Sequence, residues 1–379
     1  MNNGIINFKP HRLEQALDFL MLSRPTFAGL SGVKTPVLSR VINGQSPSAE
    51  TFKKIYQTLK FPPAFFLNDE SVPPAPEKFW RSLNSAKKIA RAKGNAALIW
   101  QTEIWHKFQA DFPLPEYQLT DLEFGGDPLT DLSDEEIENI SIRFREKILN
   151  KSAPIKNMIR AMELSGIVVS AINLEVEKID GVSTRYEGVN NVLLNTFKQS
   201  SARSRFDAAH ELGHLLLHRK VTMDQYADKD LFHAIEGQAH SFASALLLPE
   251  QAFVRDVWAP TLECFRDLKK KWNVSIQAMM RRCLNLKIID PSLYQSLNIQ
   301  ISKNKWRLRE PLDDETPLER PRLFEKCVEE YLKGGVERSE ILAKVELPPE
   351  IATQILGLDP DFFETDQTDE DLNIIEFRS

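Results

Sequence analysis

At 379 residues the chain exceeds what one hydrophobic core usually organises, so two or three domains are expected. A hydrophobic share of 42% and a charged share of 27% are ordinary for a soluble globular protein, and no apolar run approaches the ~20 residues of a membrane-spanning helix, so no membrane partner is expected. The formal net charge is -6, yet residues 1–109 hold 15 Lys and Arg against 7 Asp and Glu, a net of +8, so any nucleic-acid binding should sit at the front of an otherwise acidic chain.

The opening "MNNGIINFKPHRLEQ" has no basic-then-apolar leader, and the expected location is the cytoplasm. Residues 11–22 place Leu13, Ala16, Leu17 and Leu20 on one helical face. "TFAGLSG" predicts a second short helix stopped by Gly32, and "KTPVLSRVING" a third, with Thr35 as N-cap and Pro36 in the first turn. A fourth runs from about 48 to 60, with Phe52, Ile55, Tyr56 and Leu59 inward. The proline-rich connector "SVPPAPEK" cannot continue a helix and sets a boundary. Residues 79–110 read as a long helix, basic and then aromatic, whose Ile99, Trp100, Ile104, Trp105 and Phe108 form a core face for coupling domains or for a dimer. Helices are expected at 133–149 and 154–165. The period then changes to two in "GIVVSAIN", "GVSTRYEG" and "NVLLN", which predicts a small sheet between 166 and 196. Cys264, Cys283 and Cys327 are too widely spaced for a disulfide framework or a cysteine zinc knuckle and are read as small buried hydrophobes.

Directly after the sheet stands "RFDAAHELGHLLLHR". His210 and His214 at i and i+4 aim both imidazoles at one point, as a tetrahedral zinc site requires, and Glu211 lies about 100° around the helix from His210, beside such a site without being a ligand. Bound zinc lowers the pKa of its water to about 7, and a neighbouring carboxylate can take the proton as that water attacks a carbonyl. The competing reading is an amphipathic helix merely rich in histidine. Burial among Phe206, Ala209, Leu212, Leu216 and Leu217 would make unpartnered imidazoles and a glutamate costly, which favours the metal. Gly213 inside the helix suggests close approach by another backbone. A second helix, "LFHAIEGQAHSFASALLLPEQAF", carries Glu236 on an otherwise apolar stripe and supplies the third ligand, with His233 and His240 as rivals. His240 could orient a ligand imidazole from the second helix, and His218 is read as structural or supporting. Tyr226 and His233, between the two helices, are candidates for stabilising an oxyanion.

Those two segments, "RFDAAHELGHLLLH" and "EGQAHSFASALLLP", resemble the ImmA/IrrE family of zinc metallopeptidases, whose pattern is RFxxAHELGHxxLH followed by ExxANxFAxxLLMP. The resemblance implies His210, His214 and Glu236 as zinc ligands and Glu211 as general acid and base, with His240 where the family usually has Asn or Asp. "PIKNMIRAMELSGIVV", "KIDGVSTRY" and "WNVSIQAMMRRCLNLKIID" extend it in both directions. The first 67 residues, notably "SGVKTPVLSRVINGQSPSAETFKKIYQTLKFPPAFFL", resemble the Cro/C1-type (Xre) helix-turn-helix domain, which implies double-stranded DNA as a partner through Lys34, Thr35, Val37, Ser39 and Arg40. The glutamine usual in that domain's second helix is missing from "RPTFAGLSG".

The expected fold is mainly α with a small β-sheet: a helix-turn-helix bundle at 1–70, a linker and coupling helix at 71–132, a zincin-like α+β metallopeptidase domain at 133–300, and a helical C-terminal region with an acidic tail at 301–379. The expected function is a DNA-binding regulator with zinc-dependent endopeptidase activity on a protein substrate such as a repressor, held as an added strand on a sheet edge. The alternative is a non-proteolytic transcription factor or antitoxin-like regulator whose zinc is structural or sensory; the intact Glu211 argues against it.

Overall fold

The computed structural model describes residues 4–67, 85–149, 154–177, 179–197 and 200–364. The proline-rich connector, the expected helical start at 79–84 and the end of the acidic tail lie outside the described residues. The chain divides into two compact units, one of Met1–Pro73, Ile89–Phe112 and Arg322–Ser379, the other of Pro74–Lys88 and Pro113–Pro321.

The first unit opens with α1 (Pro10–Phe19), α2 (Arg24–Ser31), α3 (Thr35–Ile42) and α4 (Ala49–Leu59). Ser23 and Ser48 cap α2 and α4 by accepting from the N–H groups of Thr26 and Thr51, and Gly32 ends α2 in the left-handed conformation. The α3 cap is Lys34 rather than Thr35, and no side chain bonds there. Pro36 explains the shift: a residue without N–H is tolerated anywhere in the first turn, so the helix begins one residue early. α5 (Ser85–Gln109) buries Ile99, Trp100, Ile104, Trp105 and Phe108. Trp100 packs on Phe19, Phe61 and Phe65, and its indole N–H donates to Gln15 at 3.1 Å. Phe108 packs on Phe324 and Tyr331, and Lys107 reaches Glu346 at 2.9 Å. The aromatic face expected to couple domains or pair copies is therefore filled inside this unit. Residues 322–364 also differ from the separate C-terminal region expected, because their helices complete the core around α5.

The second unit begins with α6 (Asp134–Ile148) and α7 (Met158–Leu164), followed by β1 (Ile167–Ile172), β2 (Gly181–Tyr186) and β3 (Val189–Asn195). The strands lie in the order β1-β3-β2, with β1 parallel and β2 antiparallel to β3. Tyr186 pairs with Val189 across a two-residue turn in which Glu187 and Gly188 have φ of 47° and 80°, the positive pair that tight hairpins need. α8 (Ser201–Leu217), α9 (Met223–Ala227), α10 (Lys229–Leu247), α11 (Glu250–Asp256), α12 (Leu262–Trp272), α13 (Ile276–Asn285) and α14 (Pro291–Lys303) follow. α8 packs on the sheet with one face and on α10 with another, and Ala208, Ala209, Leu212, Leu216, Phe242, Ala243 and Leu246 share one core. The fold is thus mainly helical with one three-stranded sheet. All three cysteines are buried and free. No described helix is long and apolar enough to cross a membrane.

Candidate metal centre

α8 and α10 bring three donor groups together. The Nε2 atoms of His210 and His214 lie 3.0 Å apart, and the Glu236 carboxylate stands 3.4 Å from His214 Nε2 and 3.7 Å from His210 Nε2. Two donors, each about 2.1 Å from a tetrahedral ion, are separated by about 3.4 Å. The triangle therefore has the size that a divalent cation such as zinc fits. Desolvation by burial is the largest cause holding both imidazoles in the unprotonated form a metal needs, well below the usual histidine range for His210 and down to about 3 for His214. His210 Nδ1 is buried without a hydrogen-bond partner, so the polar contacts of that ring are those of Nε2 within the cluster.

Gly213 allows the two helices to meet. A Cβ there would stand 3.1 Å from Phe242 Cδ1 and 3.3 Å from Ala239 Cα, which explains the helical glycine.

A chain of hydrogen bonds orients His214. The amide nitrogen of Gln238 donates to the Pro128 carbonyl at 2.6 Å, so Oε1 must face His218 Nε2, at 3.0 Å. His218 consequently donates from Nε2 and accepts at Nδ1, which lies 2.9 Å from His214 Nδ1. His214 then carries its proton on Nδ1 and turns the Nε2 lone pair to the cluster. His218 is buried, and that burial, the chief cause, holds it near pKa 3, neutral as this chain requires.

Glu211 lies beside the triangle but is no part of it. It is buried, and desolvation pushes its carboxyl up to about 8, against a hydrogen bond from Ser183 that lowers it. Gly181, at the start of β2, makes room: a Cβ there would meet Glu211 Cγ at 3.0 Å. β2 is an edge strand, pairing only with β3 among the described residues, so a free strand edge passes next to this carboxyl.

The other expected residues are placed as follows. His240 packs against His210, ring centroids 4.5 Å apart and planes at 53°, and does not hydrogen-bond its Nδ1, while His218 hydrogen-bonds the Nδ1 of His214. The Tyr226 hydroxyl is 3.3 Å from His214 Nδ1, on the edge away from Nε2, and burial keeps it protonated. His233 is exposed with its ring against Phe232 and is not brought to the cluster. On α3, Lys34, Thr35 and Arg40 are exposed while Val37 and Ser39 are half-buried, and Arg40 Nε donates to the Pro36 carbonyl at 3.3 Å. Gln238, Ser183 and Gly181 were missed by sequence reasoning. The only local signal was that Gln238 lies two residues past Glu236 in the same helical segment.

Residues 162–284 match the family model of the M78 peptidases, described as the IrrE N-terminal-like domain. The matched stretch runs from α7 into α13 and contains every residue of the cluster and, apart from Pro128, of its supporting chain. This likeness supports peptidase activity of the metallo type. No curated protein matches the chain.

Proposed function

We propose that the second unit is a zinc-dependent endopeptidase acting on a protein substrate and that the first unit binds double-stranded DNA, which together make a cytoplasmic regulator. The observation that carries the reading is the convergence of His210, His214 and Glu236 with a buried carboxyl, Glu211, beside them and outside the donor set. A structural site needs no such carboxyl.

His210 and His214 would hold zinc through Nε2, and Glu236 through its carboxylate. Zinc, when bound, polarises a carbonyl oxygen and makes water a nucleophile near neutral pH. Glu211 takes the water's proton and returns it to the departing amine, which needs a carboxyl pKa nearer neutrality than an exposed glutamate has. The Ser183 hydroxyl fixes the direction of that carboxyl. The substrate backbone adds to the β2 edge as an extended strand, so main-chain hydrogen bonds hold it while Gly181 leaves Glu211 unobstructed. A repressor protein with an exposed linker is the substrate class that suits a fused DNA-binding unit.

Elemental analysis of wild type and His214→Ala is the first test: about one zinc per chain in the wild type and its loss in the variant are expected. Glu211→Gln should retain zinc and abolish peptide hydrolysis; hydrolysis that persists in this variant ends the proposal. For the first unit, Lys34, Thr35 and Arg40 lie exposed on the start and far end of α3, as groove or phosphate contacts must. Binding to duplex DNA that weakens with salt, and weakens further in Arg40→Ala, is the expected result. Absence of binding at any salt concentration would remove this half of the reading.

A further inference from the structure

A cavity of about 330 Å³ opens beside the cluster, walled by α8, α10 and α13. Gly237, adjacent to Glu236, and His240, whose ring lies 4.5 Å from that of His210, form its near side. Phe206 and Ala278 make the wall largely apolar, while Ser241, Ser244, Arg281 and Asn285 supply the polar groups. One of these is unsatisfied and another carries a charge. Ser244 is 6% exposed, and its hydroxyl has no hydrogen-bond partner, although a helical serine can usually bond the carbonyl one turn back. Arg281 is exposed and makes no ion pair among the described residues, and no carboxylate lines the cavity.

At about 330 Å³ the cavity is at the lower end of ligand-site volumes and has room for a substrate side chain with its adjoining backbone. It offers an unpartnered hydroxyl and an exposed guanidinium, with an apolar wall for a short methylene stem. We infer that this cavity is a substrate side-chain pocket selecting an acidic residue, Glu or Asp, next to the bond that is cut. The inference rests on the peptidase reading for the pocket's place beside a cut bond and on the cavity alone for the acid preference. Arg281 takes the carboxylate at the mouth, and Ser244 donates from the buried wall.

The test uses the full chain as Glu211→Gln, loaded with zinc, and three blocked peptides, acetyl-Ala-Glu-Ala-amide, acetyl-Ala-Ala-Ala-amide and acetyl-Ala-Lys-Ala-amide, with binding read by calorimetry. The Glu peptide should bind about tenfold more tightly than the Ala peptide, the worth of one charge-assisted hydrogen bond, and the Lys peptide least. Arg281→Glu, a change on the surface, should invert the order of Glu and Lys with zinc content unchanged. Ser244→Ala should shrink the Glu preference by severalfold. Equal binding of the three peptides, or a Glu preference that survives Arg281→Glu, overturns the inference. Wild-type protein is then given the same sequences in longer peptides. Acid-selective binding with no cleavage at all upholds the pocket and overturns the peptidase reading, whereas cleavage without preference for an acidic residue does the reverse.

Discussion

Gln238 is two residues past Glu236 and touches no donor atom of the cluster, yet it decides how one of them is presented. Because the Pro128 carbonyl can only accept, the Gln238 amide has one orientation, and that orientation passes through His218 to put the His214 proton on Nδ1. Gln238→Leu keeps the volume and removes both bonds. Zinc affinity should fall about 10–100-fold, measured by chelator competition, with little change in the circular dichroism of the metal-free protein. Unchanged affinity would mean that packing alone orients His214. A second consequence lies in pH. Glu211, raised from 4.5 to about 8 chiefly by desolvation, keeps a proton in the native metal-free state that the unfolded chain releases, so stability is lost as pH rises from about 4.5 to 8. His214 and His218, lowered from 6.5 to about 3 chiefly by desolvation, act in the opposite direction, so stability rises from pH 3 to 6.5. Above 6.5 the histidine contribution is complete and the Glu211 contribution continues. Metal-free wild type should therefore lose melting temperature between pH 6.5 and 8 relative to Glu211→Gln, and parallel curves for the two proteins would refute the burial argument.

Helix α8 is where these residue effects become a property of an element. Its 3.6-residue period sets His210 over His214, but the approach of α10 sets the third side of the triangle. Gly213→Ala should gain about 1 kcal/mol of helix propensity and lose about 1–3 kcal/mol by overpacking against Phe242 and the α10 backbone. The net expectation is a loss of about 1 kcal/mol in denaturant unfolding, together with weaker zinc binding, because the side chain pushes Glu236 away from the histidines. A variant that is more stable and binds zinc as well as wild type would mean that α10 shifts freely. The same element explains what could be read in advance. The i, i+4 histidines, the apolar stripe of α10 and the period-two strands are local patterns, and local geometry follows from them. Ser183 on β2, Gly181 near it and Pro128 ahead of α6 act across 28 to 110 residues of chain, through contacts made only when the sheet and loops have docked. A periodic pattern carries no record of such partners. Spacing along α10 likewise gives the distance of His240 from Glu236 but not that its ring lies against His210.

The same limit governs the boundary drawn at residue 300 for the whole molecule. The family resemblance reaches only to about residue 300, so the stretch after α14 reads as the start of a new region, yet it carries three carboxylates that the second unit needs. Glu310 and Asp313, 1% and 5% exposed, hold Lys269 at 2.9 and 2.7 Å, and Glu310 also accepts from the N–H groups of Ile276 and Gln277 at the start of α13. Glu319 pairs with Arg205, the first residue of the histidine motif, and accepts from the N–H groups of Met158 and Ile159 at the start of α7. Arg205 is 1% exposed, so its role in the motif is to bind this segment rather than a metal or substrate. Removing one partner of a buried ion pair costs about 3–5 kcal/mol, because the other charge stays buried and unmatched. Two such losses, at Lys269 and Arg205, would consume most of the about 5–15 kcal/mol that stabilises a domain. A fragment of residues 113–321 should therefore unfold cooperatively, whereas 113–300 should be soluble only poorly and show no sharp transition by calorimetry. Replacing Lys269 and Arg205 by Met in the shorter fragment should restore part of the cooperativity, since the unmatched charges are then gone. If 113–300 melted at the temperature of 113–321 without that rescue, the three carboxylates would be surface decoration, and the boundary at 300 would stand.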